Sequence, residues 1–165
     1  MADATDRQDL AHDDGGQLRS PLERWADAGQ IMSVFCADKR YKDMSGEALY
    51  LKIMPALSLG QYVILRKPRK LFGVDKSLPS PVGAILWARV SDRVHEMFLA
   101  ATTPVSLAVG DWDSGDNYWI IDAPGDQKAV GDALEALHRE RFGEQPFTVF
   151  INPGDGRIKA KTFGD

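Results

Sequence analysis

The chain has 165 residues, 44% of them hydrophobic and 27% charged, with a formal net charge of −4; this suits one domain with a sizeable core and the composition of an ordinary globular protein. An acidic balance argues against a general nucleic-acid binder, no apolar run reaches the ~20 residues that span a bilayer, and no basic-then-apolar leader opens the chain, so a cytoplasmic protein is expected. A single cysteine, Cys36, excludes an internal disulfide and a cysteine-based zinc site; among Val34, Phe35 and Ala37 it reads as a small core residue.

Residues 1–19 hold five Asp, two Arg and a Gly pair with almost nothing to bury, and read as a disordered acidic tail ahead of one domain over 20–165. Ser20-Pro21-Leu22-Glu23 is a helix start, with Ser as N-cap, Pro in the first turn and Glu closing a capping box. The helix is predicted to run to about Asp38 with Leu22, Trp25, Ala26, Gly29, Met32 and Cys36 along its inward face. A charged connection from Lys39 to Asp43, holding the aromatic Tyr41, leads to a short helix from about Ser45 to Met54 that Pro55 ends.

Gln61 to Leu65 and Val82 to Val90 read as strands. Between them lies an arm, Arg66 to Pro81, with Arg66, Lys67, Arg69, Lys70 and Lys76 against one Asp75. It fits a solvated hairpin tip that guards an edge against aggregation, or a docking surface for an acidic partner. Ser91-Asp92 starts a helix through His95, Phe98 and Ala101. The turn-rich run Asp111 to Asp116 then feeds an aromatic and β-branched strand, Tyr118 to Ile121, that stops on Asp122 before Ala123-Pro124-Gly125. Gln127 to Phe142 is an amphipathic helix with Val130, Ala133, Leu134, Leu137 and Phe142 inward and Gly143 past its end. Phe147 to Ile151 is a strand, Asn152 to Gly156 a turn, and Arg157 to Phe163 an edge strand pairing back. The order α-α-β-β-α-β-α-β-β predicts an α/β (α+β) domain whose mixed, mostly antiparallel sheet is flanked by helices.

The spacing of Asp111, Asp113, Asp116 and Asp122 suggests a calcium loop, but Asp116 stands where such a loop needs glycine and a strand follows. A hydrogen-bonded turn fits better, and no metal site is expected. Pro124-Gly125-Asp126 before a helix could offer N–H groups to an anion, yet such a loop is more often only a strand-to-helix turn. His12 lies in the tail, His138 on an exposed helix side, and His95 between Val94 and Met97 in a structural setting; no Ser-His-Asp or Cys-His spacing emerges. An acid ending an apolar strand beside a breaker loop makes Asp122 the best candidate for chemistry.

Three segments stand out together: Met54-Pro55-Ala56-Leu57 with Gly60-Gln61-Tyr62-Val63-Ile64-Leu65; Pro81-Val82 through Leu86-Trp87-Ala88; and Asp111-Trp112, Ser114-Gly115-Asp116, Trp119-Ile120-Ile121-Asp122-Ala123-Pro124. In combination they resemble the RTX-toxin-activating lysine acyltransferases, the group that includes the hemolysin- and cyclolysin-activating proteins. Their order and separation cover about Gln30 to Phe163. The resemblance implies a fold similar to the GNAT acetyltransferases and transfer of a fatty acyl chain in the cytoplasm. The donor it implies is acyl carrier protein, through its phosphopantetheine thioester with no bound cofactor, and the acceptor is an internal lysine of an RTX-type protoxin. Whether two chains associate stays open.

Such activity depends in the family on a histidine and on the aspartate ending the Trp-Ile-Ile-Asp strand. The aspartate carries over onto Asp122, which would charge or orient a base or polarise the attacking amine. The histidine position meets Tyr41. With an ordinary pKa of about 10, tyrosine is a poor base at neutral pH, but it can donate to a leaving thiolate or hold a hydrogen bond. The serine three places earlier is Asp38, the link between the first two strands is longer, and the chain is expected to lack the family's C-terminal helices. In this frame Trp112, Ser114, Gly115, Asp116 and Trp119 scaffold the site, and Arg66, Lys67, Arg69 and Lys70 are the expected dock for the acidic carrier. Two further readings follow: a binding adaptor for toxin or carrier that catalyses nothing, and an N-acyltransferase drawing on an acyl-CoA donor.

Overall fold

The computed structural model describes residues 20–70, 77–152 and 157–164, with 69, 70 and 77 described by backbone alone. The acidic tail, the tip of the basic arm with Lys76, and most of the turn before the last strand lie outside these residues.

The elements are α1 (Pro21–Ala37), α2 (Gly46–Leu59), β1 (Tyr62–Lys70), β2 (Ser77–Val90), α3 (Asp92–Leu99), β3 (Asn117–Asp122), α4 (Gln127–Glu140), β4 (Phe147–Ile151) and β5 (Lys159–Phe163). One-turn 3-10 segments cover Lys39–Tyr41 and Val109–Asp111. The strands form one sheet in the order β1-β2-β3-β4-β5. Every neighbouring pair is antiparallel except β3 with β4, which α4 connects. No helix among the described residues is long and apolar enough to cross a membrane.

Alternation along the strands sends side chains to two cores. Ile64, Ala84, Leu86, Ala88, Val90 and Trp119 face Ile31, Phe35, Leu49, Ile53 and Phe98 of α1, α2 and α3. Leu65, Ile85, Trp87 and Ile120 face Ala129, Val130 and Ala133 of α4.

The expected capping box starts α1: Ser20 Oγ accepts from the Glu23 N–H at 3.3 Å, and Glu23 Oε2 accepts from the Ser20 N–H at 2.7 Å. The inward face is rotated from the expected one. Asp27, Ile31, Val34 and Phe35 are buried, whereas Leu22, Trp25 and Cys36 are exposed. A buried carboxylate explains the rotation, because Asp27 is satisfied by groups from β1 that no local hydrophobic pattern can show.

α2 does not stop at Pro55 but carries it within the helix and continues to Leu59. A helical proline forfeits one backbone hydrogen bond. Here burial of Ile53, Ala56 and Leu57 offsets that loss. The helix closes instead at Gly60, whose φ of +67° suits glycine, with the Gln61 N–H donating to Ala56 O at 2.9 Å. The basic arm is likewise not a loose connection. β1 and β2 remain paired from Tyr62↔Leu86 to Lys70↔Ser77, so Arg66 to Lys70 are strand residues on the sheet's edge. Pro68 and Pro79 face each other where β3 no longer pairs with β2, the edge setting in which a strand tolerates proline.

Candidate active site

A β-bulge decides which way Asp122 points. Leu86 stands opposite Asp122, but the next residue, Trp87, stands opposite Ile120, so Ile121 is the extra residue on β3. Strict alternation would put Asp122 on the same face as Ile120, against α4. The extra residue turns it to the face of Leu86, under α1 and α2. The β3–β4 ladder ends at Ile120↔Val149, so Asp122 lies where these two strands have parted.

The segment after α1 comes down onto this point. Asp38 caps the 3-10 turn, accepting the Arg40 N–H at 3.0 Å, and its carboxylate takes Arg40 Nη2 at 2.7 Å. The same pair grips the exit of β3: Arg40 Nη2 donates to Ala123 O at 3.1 Å, and the Gly125 N–H donates to Asp38 Oδ2 at 3.2 Å. The Arg40 guanidinium, aided by backbone N–H donors, holds the Asp38 carboxyl down at about 2. Gly125 is glycine for a reason: its φ is +107°, and a Cβ there would lie 2.3 Å from Val82 O.

Tyr41 follows directly, its ring edge-on to Phe35 at 4.7 Å between centroids. Its hydroxyl donates to Asp122 Oδ1, which also accepts the Ala123 N–H at 3.0 Å. The second carboxylate oxygen takes Lys52 Nζ, from α2, at 2.6 Å. Burial, and then the Asp122 charge, push the Tyr41 hydroxyl well above its ordinary range. Tyr41 is therefore a protonated donor at neutral pH and not a base. The arrangement is a largely buried carboxylate with one oxygen on a phenol and a backbone amide and the other on an amine.

The fold thus brings Tyr41 and Asp122 together. Lys52 carries no mark in the sequence: one cation on an amphipathic helix reads as a solvated lysine, and nothing local shows it facing a carboxylate 70 residues away. Trp112 and Trp119 are buried. Ser114 Oγ accepts the Ser91 N–H at 2.9 Å and donates to Asp111 O at 3.0 Å. A Cβ on Gly115 would lie 2.6 Å from Ser91 Cα, so this loop is pressed against the start of α3. Its carboxylates disperse rather than converge: Asp111 pairs with Arg93 at 3.3 Å, Asp113 with Arg89 at 3.0 Å, and Asp116 is exposed. His95 Nδ1 accepts the Trp119 Nε1–H at 2.9 Å, which fixes the indole against α3.

Two residues of the basic arm have partners of their own. Arg66 Nη2 pairs with Asp27 Oδ1 at 3.4 Å and its Nε donates to Gln30 Oε1 at 2.8 Å, while Tyr62 Oη donates to Asp27 Oδ2 at 2.7 Å. Lys67 Nζ lies 2.7 Å from Asp126 Oδ2, with both groups well exposed. The side chains of Arg69 and Lys70 lie outside the described residues.

Helices over a five-stranded mixed sheet, with one parallel pair that parts beside a carboxylate, make this a GNAT-like domain. The model of the HlyC RTX toxin acyltransferase family matches residues 22–160, and the chain belongs to that family. Among curated proteins it is similar to the protein-lysine palmitoyltransferase CyaC of Bordetella bronchiseptica, 28% identical over 131 residues that cover 76% of this chain and 64% of that protein. The RTX-II toxin-activating lysine-acyltransferase ApxIIC of Actinobacillus pleuropneumoniae is 28% identical over 57% of this chain and 51% of its own length. The protein-lysine myristoyltransferase RtxC of Kingella kingae is 24% identical over 61% and 53%. The matched region thus spans between half and two thirds of these relatives.

Proposed function

We propose that this protein transfers a fatty acyl group from the phosphopantetheine thioester of acyl carrier protein to a lysine ε-amine of an RTX-type protoxin, in the cytoplasm. The observation that carries the reading is Asp122: the bulge turns it under α1 and α2, where it already holds an amine, that of Lys52. A carboxylate so placed can orient a lysine ammonium and accept its proton, so that the free amine attacks the thioester carbon. Collapse of the tetrahedral adduct then forms the amide and expels the thiolate. Tyr41 keeps the carboxylate oriented through its hydroxyl; with the base role open to Asp122, a histidine at that position is not required. Lys67 and the neighbouring arginine and lysine of the β1–β2 hairpin are the proposed dock for the acidic carrier.

Co-expression with an RTX protein, followed by mass measurement of that protein's lysines, tests the reading. An acyl mass that disappears with Asp122→Ala is the expected result. Both oxygens of Asp122 already being engaged favours a second reading, an adaptor that binds toxin or carrier without catalysis. It requires binding with no acyl mass in the unaltered protein. Replacing acyl carrier protein by acyl-CoA in the purified reaction separates the two donors.

A further inference from the structure

We propose that Lys52 is itself an acyl acceptor, a modification site inside the enzyme's own acyl-transfer centre. The inference rests on Asp122 serving an acceptor amine, as proposed above, and adds that the first amine within its reach belongs to the same chain. Lys52 Nζ lies 2.6 Å from Asp122 Oδ2, the distance at which a carboxylate orients an ammonium and can take its proton. The other side of the carboxylate is held by Tyr41 and the Ala123 N–H, so the Lys52 side is the one turned to an amine. About a quarter of the Lys52 side chain is exposed, so a thioester can reach it, while Asp122 is only 11% exposed. Proximity of this kind makes the reaction effectively unimolecular in the amine.

The step balances as an aminolysis. The Lys52 ammonium loses one proton, through Asp122, to solvent. The neutral amine attacks the thioester carbonyl, the C–S bond breaks as the C–N bond forms, and the leaving thiolate takes the second proton. The products are an Nε-acyl lysine and a free thiol, with no redox change. The modified side chain carries no charge, so the ion pair to Asp122 is lost and the acyl chain occupies the acceptor's place. Self-acylation therefore slows transfer to an external lysine.

Exposed lysines supply the internal control. Lys42 and Lys128 have side chains 72% and 82% exposed, and each pairs with an exposed carboxylate. Unassisted acylation by a thioester would modify them ahead of Lys52. The full chain is incubated with palmitoyl-loaded acyl carrier protein, without protoxin, and each lysine's occupancy is read by peptide mass spectrometry. Lys52 is expected at least tenfold ahead of Lys42 and Lys128, with that preference abolished in Asp122→Asn and with Lys52→Arg unmodified at 52 but folded by thermal melt. An equal rate at all three lysines, or a Lys52 preference that survives Asp122→Asn, overturns the proposal. Parallel reactions with protoxin distinguish the failures: protoxin acylated with Lys52 bare overturns self-acylation alone, whereas neither acylated overturns both readings.

Discussion

Leu86 stands directly across the ladder from Asp122, yet its neighbour Trp87 stands across from Ile120. That single extra residue, Ile121, is what puts the acid beside Tyr41 and Lys52 rather than against α4. Adding one alanine between Ile121 and Asp122 should move the acid one place along the strand and send it to the opposite face. The insertion is expected to abolish acyl transfer while circular dichroism still reports a mixed α/β fold. Ile121→Ala, which keeps the residue count, should retain most of the activity. An insertion variant as active as the parent would refute this role of the bulge.

Tyr41→Phe removes one donor from Asp122 and leaves the ring against Phe35. Losing a hydrogen bond to a charged group costs about 1.5–3 kcal/mol, which should appear as a lower Tm alongside a reduced kcat. Tyr41→His places at this point a group with an ordinary pKa of ~6.5. The rate of that variant should acquire an inflection between about pH 6 and 7 that the parent lacks. A flat profile would show that position 41 takes no part in proton movement.

The basic arm should divide by function when its charges are reversed. Arg66 belongs to a buried network with Asp27, Gln30 and Tyr62. Asp27→Ala leaves that guanidinium without its carboxylate, and since Arg66 keeps some solvent the cost should be about 2–3 kcal/mol, at the low end for a broken buried pair. Denaturant melts check this. Lys67→Glu, at an exposed pair with Asp126, should change stability by less than about 1 kcal/mol but weaken carrier binding several-fold at low salt, less so at high salt. Unchanged binding by Lys67→Glu would remove this residue from the proposed dock.

Asp38 gives the site an acid limit. Its folded pKa, about 2, lies below the ordinary value of 3.8 because Arg40 favours the ionised form. A depressed carboxylate contributes stability that is fully present above the unfolded pKa and is lost as pH falls toward the folded one. The window is therefore from about pH 4 down to pH 2, and the contribution is held to about 1 kcal/mol by solvent screening at the exposed Arg40. The difference in stability between the parent and Asp38→Asn should be constant above pH 5 and shrink through this window. Because Asp38 and Arg40 also hold Ala123 and Gly125, the variant should lose transfer activity at neutral pH more than it loses stability.

The order of elements was legible in the sequence because its signals are local: the Ser20–Glu23 capping box, the aromatic strand before Asp122, and the amphipathic period of α4 each act within a few residues. The same holds for Asp122 itself, marked as an acid ending an apolar strand. What tertiary structure decided are relations between distant segments. Which stripe of α1 is buried turns on Asp27, and that carboxylate can be buried only because Tyr62 and Arg66 arrive from β1. α2 passes through Pro55 because its next turn has a core to enter. The face that Asp122 occupies depends on a bulge fixed by pairing with β2, and its second oxygen on an amine 70 residues upstream. A strand's period tells which residues share a face, but one unpaired residue reverses the answer. Only the assembled sheet shows that the acid and the lysine meet.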